Sequence, residues 1–393
     1  MAGPAVVPSR RAAAVAPFHV MRILERARAL EADGRDLIHL EVGEPDFPTP
    51  EPVIAEARAA LASAPLGYTP AAGLPRLRQA IADHYRRRYG VAVDPARIIV
   101  TPGGSGALQL ALAAVVDVGD SVLLTEPGYP CNRHIVSLIG GRPRVVPVGP
   151  ETGYRLSAAD ARAVWQADVR ALLLASPSNP TGAVMSAAAI AELQALAGER
   201  GAALIVDEIY QGLTYGVEDH TALSAGGDNV FVVNSFSKYF GMTGWRLGWL
   251  VVPPAFAETV SRLAQNLYLA APTVSQHAAL AALRPQTLSL LDQRRDAFRL
   301  RRDVLLDLLS DLGFGIPATP EGAFYIYARI PAHCADAATL AETLLETANV
   351  AVTPGLDFGG DDSGRMLRFA YTVGPARLRE AAARIATVAA LPC

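Results

Sequence analysis

Lysine is nearly absent from this sequence: among 35 basic residues in a chain of 393, only Lys238 is not an arginine. Arginine stays protonated and cannot serve as an amine nucleophile, whereas lysine can lose its proton and condense with a carbonyl. Side-chain amine chemistry is thereby excluded everywhere but at Lys238. The count alone leaves two readings of that position, a retained nucleophile or a leftover surface cation, and the flanking residues must decide between them. Cysteine is scarce as well. Cys131, Cys334 and Cys393 lie far apart with no CxxC or Cys/His cluster, which points away from a disulfide framework and from a zinc site. No run of about 18 apolar residues occurs, as a membrane span would need. Residues 1–17 are broken by Pro4, Pro8 and the pair Arg10-Arg11, unlike a secretory signal. Neither charge sign prevails: 35 basic residues face 38 acidic ones, a net charge of −3. No footprint for nucleic acid or an anionic membrane results. The expectation is a metal-free cytoplasmic protein with a flexible N-terminal arm.

What is present is a large apolar content, 51% hydrophobic against 19% charged residues, spread over more chain than one core usually fills. Helical spacing over Phe18–Ala32, with Met21, Leu24, Ala27 and Leu30 in one stripe, stops at Asp33-Gly34 and leads to a strand over Leu37–Val42. The loop Gly43-Glu44-Pro45-Asp46-Phe47-Pro48 follows, with Thr49 as N-cap and Pro50 as first residue of a helix to about Ala62, then a second helix over Leu74–Tyr89. From Ile98 onward seven apolar runs read as buried strands: Ile98–Val100, Ser121–Thr125, Arg144–Val148, Ala171–Ala175, Ala203–Val206, Val230–Asn234 and Leu247–Val252. Helical segments such as Gly106–Val116 and Ala187–Arg200 lie between most of them. Near-continuous apolar strands joined by helices predict an α/β fold with a mostly parallel sheet covered on both faces. A long helical pattern after Pro285 leads to a smaller α+β unit, with strands at Phe324–Ile330, Ala351-Val352 and Met366–Tyr371 and helices over Ala337–Ala348 and Ala376–Ala389. The expected division is 1–45 as arm and part of the small domain, 46–284 as large domain and 285–393 as small C-terminal domain.

Five stretches at strand ends or in Gly/Pro-rich loops carry chemistry. In Thr101-Pro102-Gly103-Gly104-Ser105-Gly106, between a strand and a helix, backbone N–H groups can meet an anion such as phosphate. Ser176-Pro177-Ser178-Asn179-Pro180 and Asp207-Glu208-Ile209-Tyr210 each follow a strand; Asp207 could pair with a protonated ring nitrogen, and Asn179 and Tyr210 could donate to an oxygen on the same ring. Each taken alone reads more readily as a turn residue or a helix cap. Around Lys238, Ser235, Ser237 and Arg246 are phosphate-binding types, Arg246 being suited to a bidentate grip. Arg368, inside the apolar strand Met366-Leu367-Arg368-Phe369-Ala370-Tyr371, is costly to bury unless an anion or an internal salt bridge meets it.

Together, from about Phe18 to the end, these stretches resemble the fold type I, pyridoxal-phosphate-dependent aminotransferases of class I and II. The resemblance implies that Lys238 forms the Schiff base with pyridoxal 5′-phosphate and that Asp207 keeps the ring nitrogen protonated. Asn179 and Tyr210 contact the ring hydroxyl oxygen, Tyr129 in Pro127-Gly128-Tyr129-Pro130 stacks on the ring, and Gly104, Ser105, Gly106, Ser235, Ser237 and Arg246 bind the phosphate. Arg368, Asn179 and the Gly43 backbone clamp the substrate α-carboxylate. Tyr68 reaches the phosphate of a neighbouring subunit, so a homodimer with shared active sites is implied. The implied reaction is transfer of an amino group between an L-amino acid and a 2-oxo acid, 2-oxoglutarate or pyruvate, by ping-pong kinetics; a lyase or decarboxylase of the same fold and a non-catalytic regulator are the rivals. Residues 265–273 offer no arginine for a distal carboxylate, which argues against strict aspartate specificity. Phe18, His19 and Tyr68 are expected to line an apolar or aromatic side-chain pocket.

Overall fold

The computed structural model describes residues 6–389; residues 1–5 and 390–393, among them Cys393 and the start of the expected arm, lie outside the described residues. In chain order the strands are β1 (Ile38–His39), β2 (Ile98–Thr101), β3 (Ser121–Glu126), β4 (Arg142–Pro147), β5 (Val169–Ala175), β6 (Ala203–Asp207), β7 (Val230–Ser235), β8 (Gly248–Val251), β9 (Tyr325–Arg329), β10 (Val350–Ala351), β11 (Thr353–Pro354) and β12 (Met366–Ala370). Seven of them form one sheet in the order β2-β8-β7-β6-β5-β3-β4. The pairs β4/β3, β3/β5, β5/β6 and β6/β7 are parallel, and only β8 runs against its neighbours β2 and β7.

Successive residues of a strand point to opposite faces, so a strand buried on both sides must be apolar throughout. Leu172 and Leu174 of β5 join Leu123, Leu204 and Val232 under the helix Ala187–Glu199, which contributes Ile190, Leu193 and Leu196. Ala171 and Leu173 join Val122, Ile205 and Phe231 on the other face, under Gly103–Val115, with Ala107, Leu110 and Ala111. Each fully buried leucine contributes roughly 1.5–3 kcal/mol. The parallel strands therefore share one edge of carboxyl ends, where Asp207 ends β6, the helix bearing Ser105 begins, and the loops bearing Tyr129, Asn179 and Lys238 lie. The 27-residue helix Pro285–Asp311 then leads to the second sheet, β11-β12-β9, antiparallel throughout, while β1 pairs with β10.

Local readings need correction in five places. The first helix buries Val20, Ile23, Ala27 and Leu30, so Met21 and Leu24 fall off the core stripe; i+3 and i+4 spacing fits two adjoining faces of this helix. The strand expected over Leu37–Val42 is only Ile38–His39, because the Leu40 carbonyl turns to accept from Ala370 N–H. Pro50, not Thr49, occupies the N-cap of Glu51–Ser63; Thr49 Oγ1 donates to the Gly241 carbonyl at 3.1 Å and accepts from Trp245 Nε1 at 3.0 Å. Within the expected arm, Ser9 caps a helical turn over Arg10–Ala13, and Arg11 donates to the Leu138 carbonyl at 3.1 Å. Cys334 is disulfide-bonded and Cys131 is free, a pairing that separation along the chain cannot reveal. Among the described residues no helix is long and apolar enough to cross a membrane.

Candidate active site

A cavity of about 270 Å³ opens at the carboxyl ends of β3, β5, β6 and β7, and β12 closes it from the second sheet. Lys238 lies three residues beyond β7, in a turn set by its neighbours: Gly241 N–H donates to the Lys238 carbonyl at 3.1 Å and Thr243 Oγ1 to the Ser237 carbonyl at 2.8 Å. Its Nζ donates to the Gly43 carbonyl. Withdrawal from water lowers the Lys238 amine to about 8; the nearby cations Arg368 and Arg246 act the same way, against the pull of Glu44 and Asp207. Asp207 ends β6, and its Oδ1 accepts from Ile209 N–H at 3.1 Å. Burial pushes its carboxyl up to about 6, against that hydrogen bond and the Lys238 cation. The cavity thus holds an amine and a carboxyl whose ionisations lie close together.

Opposite them, Pro102 precedes the helix Gly103–Val115 and offers no capping side chain, so the first N–H groups of the helix remain available to an anion. The approach is close by construction. A Cβ on Gly248 would stand 2.7 Å from the Asn234 carbonyl oxygen and 2.8 Å from the Gly104 nitrogen, and one on Gly103 would stand 2.7 Å from Arg246 Nη2. Arg246, at φ +52°, donates through Nη1 to the Thr243 carbonyl at 3.0 Å. Ser235 Oγ donates to Ser237 Oγ at 2.9 Å and accepts from Ser237 N–H at 3.0 Å. Hydroxyls, helix N–H groups and a guanidinium on one side of the cavity suit a phosphate group.

Arg368, in the middle strand of the second sheet, is 3% exposed. Nη1 donates to Asn179 Oδ1 at 2.9 Å, and Nη2 to the Glu41 carbonyl and to Thr353 Oγ1. All of these acceptors are neutral, Nε has no partner, and the guanidinium lies 4.3 Å from the Tyr325 ring centroid. A buried cation in such surroundings is a receptor for a carboxylate.

The cavity gathers Phe18, Gly43, Gly104, Ser105, Tyr129, Asn179, Asp207, Tyr210, Ser235, Ser237, Lys238, Arg246 and Arg368. Gly106 is not on its wall; it lies in the first helical turn, where a Cβ would stand 3.1 Å from Pro102 Cδ. Tyr68 stands outside at 87% exposure. His19 turns away to Asp357, its Nδ1 lying 2.7 Å from Oδ1. Tyr325, Met21 and Leu24 are among the contributors that escape sequence reasoning. Tyr325 bonds Tyr210 hydroxyl to hydroxyl at 2.8 Å, and Met21 and Leu24 face the cavity. Tyr325 is one of two tyrosines in Tyr325-Ile326-Tyr327, and strand alternation names a face without saying which face meets the site.

With this geometry in view, the chain belongs to the class I and II aminotransferases: the family described as aminotransferase class I and II matches residues 35–385. It is 38% identical over 374 residues to a valine–pyruvate aminotransferase of Mycobacterium tuberculosis, covering 95% of this chain and 96% of the relative. A crystal structure of an aminotransferase from Mycobacterium tuberculosis superposes with a TM-score of 0.93 at 37% identity, over 98% of this chain and 99% of the other. The aspartate aminotransferase of Thermus thermophilus, solved with maleate, gives 0.92 at 36% identity over 98% and 100%. The chain is an enzyme that transfers an amino group between an amino acid and a 2-oxo acid, on the fold type I architecture of a pyridoxal-phosphate-dependent family.

Proposed function

We propose that the cavity binds pyridoxal 5′-phosphate and moves the amino group of an apolar L-amino acid to pyruvate or 2-oxoglutarate. The observation that carries the reading is Arg368: a buried guanidinium with neutral partners and an orphan Nε, in the same cavity as a desolvated lysine. When bound, the cofactor supplies an electrophilic carbonyl and an electron-withdrawing ring. Lys238 is the amine that attaches it. Asp207 faces its ring nitrogen, Asn179 and Tyr210 its ring oxygen, and Tyr129 its ring face. The helix start at Gly104 and Ser105, with Ser235, Ser237 and Arg246, holds its phosphate, while Gly106 lies off the cavity wall. Arg368, Asn179 and the Gly43 backbone hold the donor's α-carboxylate. Once the donor's amino group has taken its place on the cofactor, the freed Lys238 amine, neutral above about pH 8, would accept the proton from the donor's α-carbon.

An apolar donor is favoured by the wall of Phe18, Val20, Met21, Leu24 and Ile135; Lys238, Arg246 and Arg368 are the basic side chains in the lining, and all three are already engaged. The valine–pyruvate relative supports the same preference. The holoenzyme is tested against a panel of donors with pyruvate and 2-oxoglutarate. Valine, leucine or phenylalanine should give a higher kcat/KM than aspartate, and an aspartate preference would overturn the assignment.

The reading includes a homodimer in which Tyr68 reaches the partner's phosphate site. Leu66, Tyr68, Leu267 and Leu269 are exposed, and the Thr273 hydroxyl, a few residues past Leu269, donates to the Gly67 carbonyl at 2.9 Å; exposed apolar side chains on these segments suit contact with a second subunit. The separation of the seven-stranded sheet from the two smaller sheets supports a division near residues 45 and 285.

A further inference from the structure

The helix His19–Ala32 starts without a cap of its own: Phe18 holds the N-cap position and makes no side-chain hydrogen bond there. Its first donors are met by Asp357, from the turn Gly355–Phe358 near the other end of the chain. Oδ1 accepts from His19 N–H at 2.9 Å and from His19 Nδ1 at 2.7 Å, and Oδ2 accepts from Val20 N–H at 2.9 Å. A carboxylate at a helix N-terminus satisfies orphan donors and complements the helix dipole. The turn is in turn tied to the large sheet. Arg133 donates through Nη2 to the Asp357 carbonyl and through Nη1 to Glu126 Oε1, both at 3.0 Å, and Glu126, the last residue of β3, also accepts from Gly360 N–H at 3.3 Å. The first helical turn so fixed is a wall of the cavity. Phe18, Val20, Met21 and Leu24 line it, and Phe18 meets Tyr129 edge to face with centroids 6.2 Å apart.

We infer that Asp357 is a positioning residue for donor selection: by fixing the first turn of the helix His19–Ala32, it sets how closely the apolar wall meets the donor's side chain. The inference rests on the reading of that wall as the donor side-chain pocket. Asp357 touches neither substrate nor cofactor, so its effect should depend on the length of the donor.

The test uses cofactor-loaded Asp357→Ala and Asp357→Asn, with alanine as the short donor and the bulkiest accepted apolar amino acid as the long one. Asp357→Ala should raise KM for the long donor about 3- to 30-fold, the range a lost N-cap spans, and KM for alanine by less than about twofold, with kcat retained for both. Asp357→Asn, which keeps one acceptor oxygen and the side-chain shape, should fall between. His19→Ala removes one of the three hydrogen bonds and should have the smallest effect. Hydrogen exchange should quicken at the His19 and Val20 amides in both Asp357 variants and stay unchanged in β6. An equal rise in KM for both donors, or unchanged KM despite quickened exchange, overturns the role of Asp357 alone. A wild type that prefers aspartate to every apolar donor overturns the pocket reading and this role with it.

Discussion

Arg368 and Lys238 are both cations held away from water, and the protein uses the cost differently in each. Arg368 keeps its charge among neutral acceptors and so waits for an anion. Charge-assisted hydrogen bonds contribute about 1.5–3 kcal/mol each, so Arg368→Ala should raise KM for amino-acid donors about 10- to 100-fold. Arg368→Lys should rescue little, because an ammonium lacks the planar fork. An unchanged KM in either variant would remove Arg368 from the carboxylate site. Lys238 instead gives up its proton readily. In cofactor-stripped protein its amine titrates at about 8 when folded and near 10.5 when unfolded. Below pH 8 it is charged in both states, and the folded state bears the full desolvation penalty, up to about 3 kcal/mol. The penalty is relieved as pH rises from 8 to 10.5. Lys238→Met should therefore be more stable than wild type in urea titrations at pH 7, with the gain vanishing by about pH 10.5; a less stable variant at pH 7 contradicts the desolvation account. The isolation of Lys238 among arginines is plain in the sequence, as is the placement of Asp207 at a strand end. The partners of Arg368 are not: the choice between an internal salt bridge and an open receptor depends on which side chains β12 meets across 189 residues of chain, as Asn179 shows.

Between strand and helix, small residues decide how closely elements can approach. Gly248 opens β8 where the backbones of Asn234, Gly103 and Gly104 converge. Its Cβ would meet main-chain atoms, which cannot rotate aside. Gly248→Ala should lower stability by about 1–3 kcal/mol and push the start of Gly103–Val115 away from the phosphate side of the cavity. Gel filtration of the loaded protein followed by cofactor absorbance should show weaker retention, and full retention with unchanged melting would mean that this contact does not position the helix. Six of the seven strands of the main sheet are legible within a few residues, because burial on both faces leaves an unbroken apolar run; the edge strand β4, read as a buried strand over Arg144–Val148, instead spans Arg142–Pro147 and is mostly exposed. The helix His19–Ala32 is legible as a helix but not as a wall. Met21 and Leu24 show the same apolar spacing whether they face a core or a cavity, and the face is selected by contacts distant in sequence: Ile23, Ala27 and Leu30 pack with Leu37, Leu345 and Ala351, and Asp357 meets the start of the helix.

At the scale of the whole molecule the site draws on two sheets and, in the proposed assembly, on two subunits. Tyr68 stands exposed in the single chain, where its hydroxyl serves no contact within the cavity. Mixing Tyr68→Ala with Lys238→Ala subunits under exchange should therefore restore one intact site per mixed dimer, with activity exceeding that of either parent. Activity no greater than the average of the parents would show that each subunit works alone. Subunit assembly is the level least visible in a sequence, because an exposed tyrosine and three exposed leucines record a surface without recording what covers it.

The position of Lys238 also makes the chain its own reporter. An amine-directed reagent has one side-chain target in all 393 residues, and that target lies inside the cavity. Reductive trapping followed by cleavage at arginine would place the side-chain label in a single peptide, separable from any peptide labelled at an α-amino group. The rate of labelling of that peptide would then measure how freely small molecules enter the site.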